Sequence, residues 1–440
     1  MRTNMARVVA VLLTLLAAML PAGAAYWDQG TPADADVARR ITEMLGKPLS
    51  ADEAVQIALL RNPDVLALYQ DVGVAQADVV QAGLLKNPVF EGGVFWPTPQ
   101  AGRALNTGSS ASVSMDFLDV VLRSTRRSLA DAQFRQARLR LADGITRLSY
   151  EARAAYYTLQ GHQQTLAVQR DVVRAADAAV AVAKTQHDAG NLNAVDLARQ
   201  EAAAGESHLD LERFEAQVAV DRQALARQMG LIGTEDAWTV GARLPDTADA
   251  EPSQQALEQA ALSQRQDLAA VRLEPEVVER RLALARGSAL GSVNLGVSTE
   301  RDADNFRVTG PTLSIGIPLF DRNQAQVQRL EAEGRRSRLA IAASTQDVLV
   351  AVRSERARLM GLRAMLGYYE RTLLPLRRRV LKLSLEQYNG MLLGVYALLQ
   401  ARQDEILAHR EYLELLRDYH VTRAALERAV GGRLPQKEKP

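Results

Sequence analysis

The sequence predicts an α-helical fold that carries a small membrane β-sheet, and three observations support this prediction. Long segments without proline have the heptad spacing of packed helices, including the 64 residues from 124 to 187. Shorter segments in which apolar and polar residues alternate precede these helices, as in β-strands. Both kinds of segment occur twice in the same order, which indicates a tandem duplication.

The N-terminus has the pattern of an export signal. Two arginines supply the positive end, residues 8–20 form an apolar core, and residues 22–25 are small enough for cleavage. A membrane anchor is the alternative, but the apolar run is shorter than the ~20 residues that a spanning helix needs. The chain contains no cysteine, so it has neither a lipid-attachment site nor disulfides. We predict a signal peptide at 1–25 and an N-terminal extension at 26–48.

The evidence for duplication is a nearly constant spacing between similar segments. Residues 109–141 and 308–336 share an alternating strand followed by an arginine-rich helix, and Phe117 corresponds to Leu319, 202 positions later. The spacing changes little elsewhere, which favours duplication over chance similarity between two alanine-rich helices. The predicted domains are a first repeat at 49–250, a second repeat at 251–432 and a C-terminal tail at 433–440.

Each repeat is predicted to contain a first helix of 37 residues, two strands, and a long helix that turns back as a hairpin. Glycine and asparagine residues mark the hairpin turns at 188–193 and 389–394. In the second repeat, Pro375 is expected to interrupt and bend the long helix. The strand that ends near residue 320 is expected to enter its helix without a turn. The predicted first helices are 50–86 and 253–289, and the predicted strands are 89–96, 110–118, 292–299 and 310–320.

The four strands have the length and the alternation of strands that cross an outer membrane at a tilt. In the last strand, Leu313, Ile315, Ile317 and Leu319 are predicted to face lipid. Four strands cannot close a barrel, and an open sheet edge in lipid leaves backbone groups unpaired at several kcal/mol each. Several copies of the chain, as a dimer or a trimer, are therefore expected to share one barrel. A soluble four-stranded sheet with one wet face is the alternative.

Composition and motifs exclude several classes of function. The formal charge is +1, from 53 basic and 52 acidic side chains, so no surface for nucleic acid is predicted. The sequence contains no phosphate loop, nucleophile arrangement or HExxH motif, and we predict no enzyme activity, no catalytic site and no cofactor. The five histidines are scattered; His409 and His420 are predicted to be solvated rather than to bind metal. A periplasmic coiled-coil adaptor or structural protein is an alternative of another class.

Several stretches together resemble the TolC family of outer-membrane efflux channels over nearly the whole mature length. They are LSADEAVQIALLRNPDVLAL (49–68), GPTLSIGIPLFDRNQAQVQRLEAE (310–333), and the hairpin turns HDAGNLNAVDLARQE (187–201) and YNGMLLGVYALLQARQ (388–403). The resemblance implies a homotrimer in the outer membrane of a Gram-negative bacterium, with one twelve-stranded barrel that continues as a periplasmic tunnel of helices. Beside outer-membrane lipid, the implied partners are a periplasmic adaptor and an inner-membrane pump of the RND type.

Two of these stretches are similar to the branch of the family that serves heavy-metal efflux, the CzcC group. They are IPLFDRNQAQ and YNGMLLGVYALLQARQ. Heavy-metal ions are therefore the expected cargo, and drugs, organic solvents and type I secreted proteins are the alternatives. No cluster of metal-ligating residues in the sequence supports the metal cargo on chemical grounds.

The resemblance also places both hairpin turns at the periplasmic tip, where an adaptor would dock. Apolar residues stand in these turns where an isolated turn would be polar, which suggests a protein partner. Packing against a neighbour within the trimer is the alternative. The expected docking residues are Gly190, Leu192, Met391, Leu392 and Leu393.

The gate is where the chain departs from the family pattern. In the best-known channels, the helix after the second tip carries two acids three residues apart, but Ala397 and Gln400 stand at those positions here. The acidic ring is therefore expected to be missing. Tyr388 is retained, and Asp196 is the acid at the equivalent place in the first copy, with Arg199 one helical turn later. We predict a closed state held mainly by apolar packing of Tyr388 and its neighbours.

Overall fold

The computed structural model describes residues 32–96, 107–231, 238–248, 250–302 and 305–435. The predicted signal peptide, the first residues of the N-terminal extension and the end of the C-terminal tail lie outside these ranges. Within them, no helix combines the length and the hydropathy that a membrane span requires.

The first repeat consists of short helices, two strands and a hairpin of two long helices. Its elements are α1 (Pro32–Leu45), α2 (Ala51–Arg61), α3 (Pro63–Gly83), β1 (Val89–Phe95), β2 (Gly108–Asp116), α4 (Phe117–Asp188) and α5 (Ala194–Met229). α4 contains 72 residues, which at 1.5 Å per residue corresponds to about 108 Å. A helix of this length extends far beyond the sheet at one of its ends.

The second repeat has the same order of elements. They are α6 (Gln254–Gln264), α7 (Gln266–Gly287), β3 (Val293–Arg301), β4 (Arg307–Ile315), α8 (Gln324–Tyr368), α9 (Leu374–Asn389) and α10 (Val395–Val430). A π-helical turn, Tyr369–Leu373, separates α8 from α9. The interruption therefore begins six residues before Pro375, which corrects the predicted position. Pro375 lies in the first turn of α9, where a missing N–H is tolerated.

The first predicted helix of each repeat is two helices, which corrects the expectation of continuous helices at 50–86 and 253–289. In the first repeat, Asn62 is extended and caps α3, and Pro63 opens that helix. A proline disfavours the α conformation for the residue before it, so α2 has to end there. In the second repeat, Arg265 takes the same extended conformation between α6 and α7.

The four strands form one antiparallel sheet in the order β1-β2-β3-β4. The two central strands, β2 and β3, pair across the repeats, with Val113 opposite Val297. β1 and β4 are consequently the edges of the sheet. β1 has seven residues and each of the other strands has nine. Three of the four strands thus reach the length of about 9–11 residues with which a tilted strand crosses a bilayer.

The two repeats pass from sheet to helix in different ways. β2 ends at Asp116 and α4 begins at the next residue, with the Asp116 side chain accepting a hydrogen bond from the backbone N–H of Asp119. In the second repeat β4 ends at Ile315, and an irregular connection, residues 316–323, leads to α8. The expectation that this strand enters its helix without a turn is therefore wrong.

The predicted strand 310–320 is also too long, because Pro318 has no N–H to continue the pairing. Ile317 and Leu319 lie in the connection and not in a strand, although both are exposed. Asn323 closes the connection with a φ of 61°, and its side-chain amide donates to Ala285 O at 2.9 Å. This contact ties the start of α8 to the end of α7.

The core lies where the helices of both repeats meet. α4 packs against α3, α5, α7 and α10, and α10 packs in addition against α6, α8 and α9. In α8, a seam of residues at heptad spacing is buried at Leu359, Leu362 and Leu366. Beyond the π turn it is exposed in the single chain, at Leu376 and Leu383 among others. The two halves of the seam thus contact different surroundings.

Candidate functional site: sheet faces and hairpin tips

One face of the sheet is apolar. Because residues that pair across strands lie on the same face, the register assigns each strand residue to one side. Leu313 and Ile315, two of the predicted lipid-facing residues, lie on this face and are 62% and 55% exposed. The apolar residues of this face are Phe90, Val94, Val113, Met115, Val293, Leu295, Val297, Leu313 and Ile315, and Ser109, Thr299, Arg301, Arg307 and Thr309 lie on the same face at one end of the sheet.

The opposite face consists mainly of small and hydroxyl-bearing residues, together with two glutamates. A sheet with one apolar and one polar face can separate lipid from water. The polar and small residues of this face are Glu91, Gly93, Gly108, Ser110, Ser112, Ser114, Asp116, Asn294, Gly296, Ser298, Glu300, Gly310, Thr312 and Ser314, and the same register also places Val89, Phe95 and Val308 on it.

The tip of the first hairpin is a tight turn between α4 and α5. Gly190 has a φ of 76°, a conformation that favours glycine. The His187 ring donates from Nδ1 to the backbone oxygen of Leu192 at 2.8 Å, and the Leu192 side chain is half-buried. The Asn193 side chain accepts from the backbone N–H of Asp196 at 2.8 Å and so begins α5.

The tip of the second hairpin is the more apolar and the more exposed. Met391 is 95% exposed and Leu392 is 82% exposed, whereas Leu393 is half-buried. Met391 has a φ of 58°, a backbone conformation that is uncommon for residues other than glycine. Its backbone N–H donates to Tyr388 O at 2.9 Å, which keeps the turn closed. Two large apolar side chains therefore project from the end of the hairpin.

The gate candidates lie near these tips. Asp196 accepts from Asn193 and pairs with Arg199 at 3.3 Å, so its charge is partly offset within its own helix. Gln400 donates to Asp404 at 2.8 Å. Ala397 is exposed at the start of α10, and Tyr388 is 40% exposed.

Two residues near the tips were not among the residues predicted from the sequence. The Tyr396 hydroxyl lies 3.0 Å from Gln186 Oε1, a hydrogen bond that joins the second hairpin to the first. Asp404, one turn after Gln400, is an acid of this region and pairs with Arg377 at 2.9 Å. The spacing of Asp404 from Gln400 was visible in the sequence, whereas the contact between Tyr396 and Gln186 depends on the packing of helices 210 residues apart.

Further from the tips, α4 and α10 approach each other closely. A Cβ on Gly161 would lie 2.6 Å from the Cβ of Arg417, so only glycine fits there. The Arg417 guanidinium contacts His162 Nε2, and His162 Nδ1 contacts Asp221 on α5. This cluster joins three helices from both repeats.

The histidines are less solvated than the sequence suggested. His420 is 5% exposed, and its Nε2 donates to Pro245 O at 2.7 Å. Burial lowers the pKa of His420. His409 is half-buried beside the Tyr412 ring. The prediction of a solvated histidine is therefore wrong for His420, because it ignored the packing of α10 against several helices. The described residues contain no group of three or more side chains suited to hold a metal ion.

Comparison with known proteins gives the family. A family model described as outer membrane efflux protein matches residues 54–231 and again residues 257–432. The chain belongs to the outer membrane efflux protein family. Because the two matches fall in the two halves of the chain, each half contains the features of the family separately.

Individual relatives agree with this assignment. The chain is 25% identical over 335 residues to the pyoverdine export outer membrane protein OpmQ of Pseudomonas aeruginosa. This alignment covers 70% of the chain and 68% of OpmQ. A crystal structure of a membrane protein from Pseudomonas aeruginosa matches with a TM-score of 0.73 at 19% identity, over 87% of this chain and 93% of the other. The outer membrane channel CmeC of Campylobacter jejuni matches with a TM-score of 0.72 at 14% identity, over 88% and 87%.

The protein is therefore an outer membrane efflux protein of a Gram-negative bacterium. The predicted family, location and fold class are confirmed: the chain is mostly helical, has a small sheet and resembles solved channels of the TolC type. The alternatives of a soluble sheet protein and of a periplasmic adaptor are wrong. The family and the fold are those of passive channel proteins rather than of enzymes.

Proposed function

We propose that this outer membrane efflux protein works as a homotrimer and forms the exit duct of a tripartite efflux system. The observation that carries the proposal is the two-faced sheet with unpaired edges at β1 and β4. In lipid, each unpaired backbone group costs several kcal/mol, so β1 of one chain pairs with β4 of its neighbour. Three sheets close one barrel of twelve strands, with the apolar face in lipid and the polar face around water.

The helices continue this barrel into the periplasm as a passive tunnel. Channels of this family are trimers and work in tripartite efflux systems. The tunnel opens when a periplasmic adaptor and an inner-membrane pump of the RND type dock, and the pump supplies the energy. The exposed part of the heptad seam, at Leu376 and Leu383, gives α9 an apolar surface for contact with a neighbouring chain.

The adaptor docks on the two hairpin tips. Met391 and Leu392 provide the apolar contacts, because both side chains are almost fully exposed on a turn whose backbone is held by internal hydrogen bonds. Gly190, Leu192 and Leu393 shape the surface beside them, since their half-buried or absent side chains leave the tip narrow. Helical hairpins of the adaptor would pack between these turns.

The test is a double variant, Met391→Asp with Leu392→Asp, expressed in the native host in place of the wild type. We expect normal amounts of trimer in the outer membrane and loss of export, measured as tolerance to toxic cargo. Gln387→Glu is the matched control, because it adds a negative charge beside the same turn and removes no apolar surface. Unchanged export by the double variant would refute docking at the tips. A monomeric wild type in detergent, by light scattering, would refute the shared barrel.

The cargo that we propose is heavy-metal ions, on the similarity of IPLFDRNQAQ and the second tip to the metal-efflux branch. The likeness to OpmQ, which is named for pyoverdine export, favours a small organic compound as the second candidate. Deletion of the gene distinguishes them. Loss of tolerance to Zn²⁺, Co²⁺ or Cd²⁺ supports the metal cargo, and loss of tolerance to organic toxicants alone supports the second candidate.

A further inference from the structure

We infer that a cavity between α4 and α10, which we call the α4–α10 cavity, binds a short peptide through its free carboxylate. The cavity has a volume of about 690 Å³. Sites for small organic ligands usually measure about 300–1,000 Å³, so this cavity has the size for such a ligand rather than for a single ion. Its walls are the start of α2, the middle of α4, the loop 241–245, the end of α10 and residues 433–434. It therefore lies apart from the hairpin tips and the sheet.

One wall residue of the cavity presents a buried hydrogen-bond acceptor. Gln160 of α4 is 3% exposed, and its Nε2 donates to Gly241 O at 2.8 Å and to Arg243 O at 2.9 Å. Because both of these partners are acceptors, they fix which end of the amide is the nitrogen. The other end, Oε1, is buried and has no hydrogen-bond partner among the described residues. A buried acceptor of this kind favours a ligand that brings an N–H or O–H group.

The charged side chains of the cavity do not cancel. Four arginines and two acids line it, which gives a formal charge of +2. Both acids are already paired, because Arg153 contacts Asp52 at 2.8 Å and Glu427 at 2.6 Å. His420 also lines the cavity, and burial lowers its pKa, so its ring adds no positive charge at neutral pH. The excess charge belongs to the other three arginines and favours an anionic ligand.

These three arginines are available to a ligand. Arg243 and Arg433 are exposed, and in the described part of the chain neither side chain forms an ion pair or a hydrogen bond. Arg423 lies 3.9 Å from Glu251, and its Nε is buried without a hydrogen-bond partner among the described residues. A guanidinium is planar and presents parallel N–H groups that match the two oxygens of a carboxylate. A carboxylate in the cavity would therefore meet a donor that the fold leaves unpaired.

The two unpaired groups determine the chemistry of the ligand. Arg423 Nε requires an acceptor and Gln160 Oε1 requires a donor, and a peptide supplies both in its terminal carboxylate and its amide N–H groups. A sulfate ion carries no donor and fills little of the volume. Tyr156 and Tyr157 also line the cavity and offer aromatic surface to the side chains of a peptide. In the proposed arrangement the helices lie in the periplasm, where free peptides and the peptide stems of the cell wall both have this chemistry.

The experiment measures binding of acetyl-trialanine to the full-length protein in detergent by isothermal titration calorimetry. The wild type should bind this peptide saturably, and the affinity should fall as the salt concentration rises, because exposed arginines contribute. Acetyl-trialanine amide lacks the carboxylate and should bind at least about tenfold more weakly. The ester analogue acetyl-trilactate keeps the carboxylate and the size but has no N–H group, and it should also bind about tenfold more weakly.

A pair of variants tests the arginines. Arg243→Gln with Arg433→Gln should weaken binding of acetyl-trialanine about tenfold and leave the weak binding of the amide unchanged. Arg336→Gln with Arg338→Gln is the matched control, because it removes two exposed arginines of α8 outside the cavity. Sedimentation with purified cell-wall sacculi distinguishes the two sources. Sedimentation that acetyl-trialanine reverses assigns the site to the cell wall, and a protein that binds the peptide but not the sacculi uses free peptides.

Three outcomes would overturn the inference. The site is refuted if the folded wild type shows no saturable binding of acetyl-trialanine. Equal binding of acetyl-trilactate would mean that any carboxylate suffices, and the assignment to peptides would be wrong. If the α8 control weakens binding as much as the cavity variant does, net charge and not the cavity holds the ligand.

The result is independent of the proposed function. A protein that is monomeric in detergent but binds acetyl-trialanine would refute the shared barrel and leave this site intact. Trimers that support export but bind no peptide would refute the site alone.

Discussion

At the scale of single residues, Asp119 shows how one buried carboxylate holds the junction between sheet and helices. Its side chain is 1% exposed, it contacts the Arg126 guanidinium, and it accepts from the backbone N–H of Lys86 at 3.2 Å. Hydrogen bonds from Arg126 lower the pKa of Asp119 from 3.8 to about 2. The neighbouring Arg123 donates to Gly83 O at 2.6 Å, so this corner of α4 also closes the end of α3. The carboxylate thus aligns the first strand and α3 with the long helix.

Replacing this carboxylate should give a stability loss that depends on pH. For Asp119→Asn we expect the free energy of unfolding at pH 6 to fall by about 2 kcal/mol, the usual size for a charged hydrogen bond. Because the folded pKa lies below 3.8, the ionised group stabilises the fold above that pH and its effect disappears as the pH falls toward about 2. Denaturant unfolding in detergent at several pH values measures both.

The control for this prediction is Asp131→Asn, an exposed aspartate on the same helix. Its free energy of unfolding should stay within about 0.5 kcal/mol of the wild type at every pH. A difference between Asp119→Asn and the wild type that does not shrink in acid would mean that the carboxylate contributes by packing rather than by charge.

At the scale of elements, the π turn Tyr369–Leu373 is held from outside by α10. The Tyr369 hydroxyl donates to Glu411 at 2.5 Å, and the Tyr412 hydroxyl donates to Glu370 at 2.7 Å. The hydrogen bond to Glu411 raises the pKa of Tyr369 to about 12. A π turn shifts the following residues around the helix axis. The seam that is buried at Leu366 is consequently turned outward along α9, where it is free to contact another chain.

The strands provide the sharpest test of the two faces of the sheet, because neighbouring residues point in opposite directions. Val297 is at the centre of β3 on the apolar face, and Ser298 follows it on the polar face. Val297→Arg should prevent stable assembly in the outer membrane, since a lipid-facing cation near the midplane costs about 2–4 kcal/mol per chain. Ser298→Arg should assemble normally.

The measurement is the amount of trimer in the outer-membrane fraction for each variant. These two positions are better than Ile315 or Ile317, because Ile315 is the last residue of β4 and Ile317 lies beyond it. Near the membrane interface the cost of a cation falls to about 0–1 kcal/mol. Assembly of Val297→Arg together with failure of Ser298→Arg would show that the faces are reversed.

At the scale of the whole molecule, the two repeats are joined along α4 and α10. Arg153 at the middle of α4 pairs with Glu427 near the C-terminal end of α10 at 2.6 Å, and Gln186 contacts Tyr396 near the tips. Between them lies the His162 and Arg417 contact. In the proposed opening of the periplasmic end, the second hairpin moves against the first, and we expect such a movement to break these contacts, beginning with the one at Tyr396.

The predicted gate lies near the hairpin tips, at the end of the molecule away from the sheet. Polyvalent cations added on the periplasmic side of a planar bilayer should block the wild-type pore weakly, because Gln400 replaces an acid and Asp404 is paired with Arg377. Gln400→Asp should increase the block, since it places a second carboxylate one turn from Asp404. Gln223→Asp, an exposed position on α5 far from the tips, should have no effect.

Tight block of the unaltered protein would contradict this assignment of the gate. It would mean that other acids line the constriction. Asp404 would then be the first residue to mutate, because its carboxylate would face the pore if its ion pair with Arg377 were broken in the trimer. Asp404→Asn would then be expected to relieve the block.

The sequence alone determined the duplicated plan, the family, the alternating strands and the positions of both hairpin turns. These features rest on local patterns in the sequence. A strand has a period of two residues, a packed helix has a period of three and a half, and a turn contains glycine or asparagine, and none of these patterns depends on tertiary contacts. The break between α2 and α3 at Asn62 could also have been predicted, because Pro63 follows it. It was not predicted, because the segments on both sides have the period of a helix. Leu313 and Ile315 were placed on one face correctly for the same local reason.

Only the tertiary structure decided how these parts meet. The end of β4 at Ile315, the pairing of β2 with β3, and the bond between Gln186 and Tyr396 all depend on the register between segments that lie far apart in the chain. Register is set by the summed packing of whole elements, and a shift of one residue would move every strand side chain to the other face. That is why Glu91 and Glu300 could be read as two separate surface acids in the sequence, and become members of one face only when the strands are paired.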